Sequence, residues 1–181
     1  MINTLTLRRM ATSLGVFAAF GILPFQTTAR PLERHFGSED SCYARTYSDA
    51  HLEAHPQQRI REIKFGHFPT TFGTQNDDGT VQFDPATAQL HFLISAKFRD
   101  SDLTYTNGGV CNPDGAGYKC SIECDGGSFY LDDRSPDSVR LRNPVGFWIA
   151  GCGNAEMRFL DPEPDDKVFR LDRLSQSACR P

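Results

Sequence analysis

From Ile60 to Leu171 the chain alternates apolar and polar residues with a period of two, which is the period of a strand with one buried face. The clearest run is Leu90-His91-Phe92-Leu93-Ile94-Ser95-Ala96-Lys97-Phe98, where every even position is apolar. The alternation recurs at Ile63/Phe65, Val81/Phe83, Leu103/Tyr105, Cys120/Ile122/Cys124, Phe129/Leu131, Val139/Leu141, Phe147/Ile149, Met157/Phe159 and Phe169/Leu171. Turn-forming residues separate the runs: Asn76 to Gly79, Asp84-Pro85, Asn107-Gly108-Gly109, Asp125-Gly126-Gly127, Asp133 to Asp137, Asn143-Pro144, Gly151 to Asn154 and Asp161 to Asp166. Eight to ten short strands with no helical pattern between them predict an all-β fold, a mainly antiparallel barrel or sandwich. Closure would hide the edges that so many short strands otherwise leave open. One short N-terminal helix is predicted over residues 48–55, capped by Ser48 and ended by Pro56.

The first 29 residues follow a different rule. Arg8 and Arg9 precede an uncharged, largely apolar stretch, and Thr27 and Ala29 stand where a signal peptidase reads before a cut at Ala29/Arg30. This is the pattern of a secretory signal peptide. An uncleaved anchor is the competing reading, opposed by Gly15, Gly21, Pro24 and Gln26. Residues 30–41 are polar and turn-like and read as a flexible lead-in, leaving 42–181 as a single disulfide-bonded β domain. Whole, the chain has 181 residues and a formal charge of −4; without Met1–Ala29 it has 152 residues, 17 basic against 23 acidic, and a charge of −6. That acidity gives no footprint for nucleic acid. A domain of this size can bury a core without staples, so disulfides would reinforce it.

All six cysteines follow the expected cut, an even number in an exported chain, which points to an oxidising compartment and three bridges. Cys42 and Cys179 stand near the two ends of the domain, Cys111 and Cys120 flank a Gly/Pro/Asn segment, and Cys124 and Cys152 end two expected strands. The expected pairs are Cys42–Cys179, Cys111–Cys120 and Cys124–Cys152. Zinc binding fails on spacing, because Cys120-x-x-x-Cys124 has no second ligand pair nearby.

The catalytic motifs in the chain are incomplete. His51 and His55 share a helical face at the spacing a metal needs, but Glu53 is misplaced for either metalloprotease arrangement. The acidic runs at Asn76–Gly79 and Asp161–Asp166 lack the register of a calcium loop. Glu123 with Asp125, or Asp132 with Asp133, are the carboxylate pairs a hydrolase would use. The segment Asn107–Lys119 reads as a Gly-rich loop carrying Tyr118, closed by its own bridge, and binding residues collect on such loops. Trp148, the only tryptophan, alternates with Phe147 and Ile149, so either Phe147 or Trp148 faces away from the core; an outward Trp148 would be a ligand platform, and coverage of both faces is the alternative.

Tyr47-x-x-Ala50-His51-Leu52-x-Ala54-His55-Pro56-x-Gln58, with Cys120-x-Ile122-Glu123-Cys124-Asp125-Gly126-Gly127 and Phe169-Arg170-Leu171 before Cys179, resembles a group of small exported proteobacterial proteins with no assigned function. The resemblance implies a bacterial envelope setting and brings no active-site residues. The expected function is therefore a non-catalytic binding or envelope-associated role in the periplasm or outside the cell. No cofactor and no membrane span after cleavage are expected. The partner would be a small molecule or an envelope or host protein, contacted through Tyr118, Trp148, Asn107 and Lys119. A small secreted hydrolase using Glu123, Asp125, Asp132 or a histidine is the second reading, and an enzyme inhibitor acting through 107–119 the third.

Expression with the leader intact in a bacterial host should yield an exported protein whose N-terminus, read by mass spectrometry, is Arg30. A product retaining Met1 would identify the leader as an anchor.

Overall fold

The computed structural model describes residues 31–36, 40–68, 74–75, 77, 81–82, 90–150 and 156–180. After a single 3-10 turn, Pro31–Arg34, come strand β1 (Ser41–Thr46), helix α1 (Asp49–Ala54) and β2 (Ile60–His67). Then follow β3 (Thr74–Gln75), β4 (Val81–Gln82), β5 (Leu90–Phe98), β6 (Thr104–Asp114), β7 (Gly117–Ile122), β8 (Ser128–Ser135) and β9 (Ser138–Arg142). Last come β10 (Phe147–Ile149), β11 (Arg158–Leu160), a 3-10 turn Pro164–Asp166, β12 (Val168–Leu174) and a 3-10 turn Gln176–Cys179. Eight strands close into a barrel in the order β1-β12-β9-β8-β7-β6-β5-β2. Every pairing in it is antiparallel. The sequence left barrel and sandwich open; closure decides for the barrel. Helix α1 starts as expected, with the Ser48 side chain accepting from the His51 amide.

Alternation sends Ile63, Phe65, Phe92, Ile94, Ala96, Phe129, Leu131, Val139, Leu141, Phe169 and Leu171 inward, all buried. An eight-stranded barrel is just wide enough for side chains to fill. Here rings do the filling. Phe65 stacks on Phe92 at 5.2 Å, Phe92 meets Phe129 at 5.3 Å, and Phe129 meets Phe147 at 5.1 Å between centroids. Gly109 is the backbone side of this packing: a Cβ there would lie 2.2 Å from the Ser121 carbonyl oxygen and 2.7 Å from the Phe92 ring.

The two ends are closed differently. At one, the β10–β11 ribbon lays Phe147, Ile149 and Leu160 over the core. It is tied down by Asn107 Nδ2 donating to the Ala150 carbonyl at 2.8 Å and Asn143 Nδ2 donating to that of Leu160 at 3.2 Å. At the other, the stretch expected to be a flexible lead-in inserts Leu32 and Phe36, 0% and 6% exposed. The Phe36 ring stands 5.4 Å from Tyr43, 5.6 Å from Phe65, 6.0 Å from His67 and 6.4 Å from Tyr118.

Two expected disulfides are present. Cys111–Cys120 joins directly opposed residues of β6 and β7. Cys42–Cys179 fastens the last turn to β1 across 137 residues. In the chain-entropy account the long loop contributes about 5 kcal/mol and the short one about 3 kcal/mol. The third expected pair ends on Cys152, outside the described residues, as do the leader Met1–Ala29, Phe83, Asp84-Pro85 and the Gly151–Asn154 turn.

Four local expectations are corrected. Asn107-Gly108-Gly109 lies within β6 and is no turn, and Gly109 there serves close packing. Asn107–Lys119 is consequently the β6–β7 hairpin and not a loop. Strand β7 stops at Ile122, since Cys124 and Asp125 take left-handed φ of 57° and 56° and turn the chain. Leu103 and Met157 precede their strands and are exposed.

In urea denaturation of the oxidised protein, Gly109→Ala should cost more than about 2 kcal/mol, because neither carbonyl nor ring can retreat. Gly115→Ala, at φ +59° with nothing within 4 Å, should cost only about 1 kcal/mol of backbone strain.

Candidate functional site

The mouth closed by the N-terminal turn holds the densest polar network. His35 is buried and stands between Tyr43 and Asp133: Nδ1 is 2.9 Å from the phenol oxygen and Nε2 2.9 Å from Oδ1 of Asp133. Arg34 donates through one nitrogen to both Asp133 oxygens at 2.6 Å, and the Arg173 guanidinium lies 5.0 Å from the Tyr43 ring centroid. Burial, outweighing the pull of Asp133, lowers the His35 pKa and favours the neutral ring. Burial would raise the Asp133 carboxyl, but hydrogen bonds from Arg34 and His35 prevail and hold it below the ordinary carboxylate range. Burial pushes the Tyr43 phenol up to about 12. Tyrosine, histidine and carboxylate in line have the composition of a nucleophile-and-base relay. Tyr43 is 0% exposed and driven away from ionisation, so this line works as a latch on the mouth.

The expected histidine pair sits on α1. His51 and His55 stack face to face at 4.3 Å, with Tyr47 stacked on His51 at 4.7 Å. Their nitrogens go elsewhere: His51 Nε2 to Gln58 Oε1 at 3.0 Å, His55 Nδ1 to Asp165 Oδ1 at 3.4 Å. Among the described residues no three His, Cys, Asp or Glu side chains gather as a metal site. Nearby, Asp166 is fully buried. Its Oδ2 accepts from the Arg59 amide at 2.7 Å, and its Oδ1 has no hydrogen-bond partner. Burial pushes this carboxyl up to about 6.

The remaining sequence candidates scatter. Tyr118 lines the mouth interior at 6% exposure, and Asn107 is spent on the ribbon. Lys119 is exposed on β7, opposite Tyr130. Trp148, 39% exposed, faces outward at the other end against Phe159 at 5.0 Å. Asp132 binds Arg142 at 2.6 Å and Arg140 at 3.1 Å. Glu123 and Asp125 lie in the β7–β8 turn, roughly 13 Å from Asp132 by strand rise alone, beyond the reach of a two-carboxylate site.

The outer wall carries a groove of about 380 Å³ between the C-terminal turn and strands β2, β5 and β6, lined by Lys64, Leu93, Ser95, Thr104, Thr106 and Arg180. Lys64, Ser95 and Thr106 stand in one cross-strand row. The bare backbone of Gly66 lets the turn approach, since a Cβ there would lie 2.6 Å from the Phe68 ring and 3.0 Å from Cys179 Cβ. The signal for this surface was present in the sequence as the polar phase of the alternation, but nothing there singled out these strands. His35 was missed because the lead-in looked unstructured; the Leu32/Phe36 spacing was the available clue.

Among the described residues no helix is long and apolar enough to cross a membrane. No protein family, curated protein or solved structure matches the chain.

The Asp166 carboxyl binds its proton more tightly folded than unfolded, so stability is lost as pH rises from about 4 through about 6. Relative to Asp166→Asn, the native protein should lose about 3 kcal/mol between pH 4 and pH 7 in denaturant titrations; parallel pH profiles would contradict this.

Proposed function

We propose that the protein is exported and works in the periplasm or outside the cell, in a bacterial envelope setting, as a disulfide-stapled binding domain without a catalytic step of its own. The observation that carries this reading is the groove on the outer wall, framed by a covalently fastened C-terminal turn while rings occupy the lumen. Its volume falls within the range of small-molecule sites. Ser95, Thr104 and Thr106 offer hydroxyls and Lys64 an ammonium. Lys64 already shares its charge with Glu62 at 3.4 Å, and Arg180 is paired with Asp40 at 2.6 Å. Such a lining suits a small hydroxylated acid carrying a single negative charge, such as a sugar acid, better than a polyanion. The leader and the pairing of the cysteines support export.

A second reading, inhibition of an enzyme by the β6–β7 hairpin, is favoured by one feature. The exposed tip Pro113–Ala116 stands directly above the Cys111–Cys120 bridge, which stiffens it for insertion into a cleft.

Thermal-shift assays with gluconate, glucuronate and inorganic phosphate separate the two. A sugar acid at saturation should raise Tm by roughly 5 °C, and Thr106→Val with Lys64→Ala should abolish the rise. If none of the three acts on the native protein, the groove reading falls and the hairpin reading takes precedence.

A further inference from the structure

The N-terminal turn belongs to no sheet. Eight strands close the barrel without it, and it is held by two inserted apolar side chains and one polar latch. What it offers the mouth can be read as a chemical formula. An aromatic ring, Phe36, enters a pocket walled by Tyr43, Phe65, His67 and Tyr118. A basic nitrogen heterocycle, His35, with its centroid 6.0 Å from that of Phe36, meets the Asp133 carboxylate. Arg34 adds a guanidinium to the same carboxylate.

We infer that this mouth is a binding site for an arylalkylamine, an aromatic ring joined by a short chain to a basic nitrogen, and that Pro31–Phe36 occupies it as an internal ligand that such a molecule displaces. The receiving wall recognises both parts. Aromatic rings arranged edge to face accept another ring in the place of Phe36. Asp133 stands at the rim, beside the pocket, and accepts a proton donor. A primary amine is protonated at neutral pH, so its contact with Asp133 is charge-assisted on both sides, whereas burial holds His35 toward its neutral form. Displacement removes His35 and Arg34 together, which frees both Asp133 oxygens. Arg173, over the Tyr43 ring, and Asp137, whose charge also reaches the Tyr43 phenol, remain at the mouth. A carboxylate ligand would meet Asp133 with like charge and is disfavoured there. This inference is independent of the outer-wall groove, which takes an acid on the opposite side of the sheet.

The test uses the whole mature protein with disulfides intact and a Glu-specific endoprotease, which cuts after Glu33 only when the turn is out of the mouth. Saturating 3-phenylpropylamine should speed cleavage after Glu33 roughly fivefold or more while cleavage after Glu53 in α1 stays constant. The isosteric alcohol 3-phenylpropanol should act weakly and 3-phenylpropionate not at all. Asp133→Asn should erase the preference for the amine, and Phe36→Ala, which leaves room beside the rings, should tighten amine binding about tenfold by NMR titration. Unchanged cleavage after Glu33 with the amine, or equal acceleration by all three compounds, overturns the proposal. If Asp133→Asn does not fold, the ranking of the three compounds on the native protein decides the role of the carboxylate by itself.

Discussion

The aromatic filling of the lumen is the constraint from which the rest follows. Phe65, Phe92, Phe129 and Phe147 form a continuous contact through the barrel. Each ring so buried contributes on the order of 3 kcal/mol and leaves a costly cavity if removed. The strand that passes closest must then give up its side chain, which is why Gly109 sits in the middle of β6. With the centre taken, a ligand has only the ends and the outside available. One end is a ribbon whose backbone is hydrogen-bonded to buried asparagines; the other is a single turn held by a charge network, and that asymmetry makes only the second end exchangeable.

The outer wall is also divided. On β8, β9 and β12 the outward positions carry Asp132 between Arg140 and Arg142, and Arg170 beside Asp172. Such exposed pairs add little stability, but they are the opposite of the apolar band that a lipid-facing barrel needs. Among the outward positions of β5 and β6, Leu93, Ser95, Thr104 and Thr106 form a neutral stretch that borders Lys97, the partner of Thr104 across the strands. A neutral hydroxylated stretch beside a charged one marks where a partner loses least by displacing water. Acid acts on buried His35 and buried Asp166 in opposite senses: His35 disfavours folding once it must be protonated below its ordinary range, while Asp166 is relieved by protonation.

The strands were legible because each needs only a period of two and a buried face, and the inward residues of β5, β8, β9 and β12 are those the alternation names. Closure was not legible, since β1 meeting β12 is a contact between chain ends that no local pattern encodes. Glycine misled in one place. In Asn107-Gly108-Gly109 the missing side chain of Gly109 serves packing, and sequence cannot distinguish that from a turn, whereas Asp125-Gly126-Gly127 is a turn. The positive φ of Cys124 and Asp125 was equally hidden, because both residues adopt it only at a cost that tertiary context covers. The candidate site was the least visible: Tyr118 and Asn107 have the chemistry of binding residues, yet their parity on β6 and β7 turns both inward. The latch at His35 draws on residues about a hundred positions apart, Arg34 and His35 with Asp133.

The Cys42–Cys179 bridge gives the molecule an unusual mechanical character. A load applied to the two ends of the chain enters at β1 and leaves through the same covalent bond, so the chain between two cysteines 137 positions apart is bypassed and no strand is sheared from its neighbour. Tension on a tethered copy would be felt only by segments outside the bridge, the N-terminal turn among them. In an oxidising compartment the barrel therefore bears force as a closed ring would, and it becomes extensible only when that one bond is reduced.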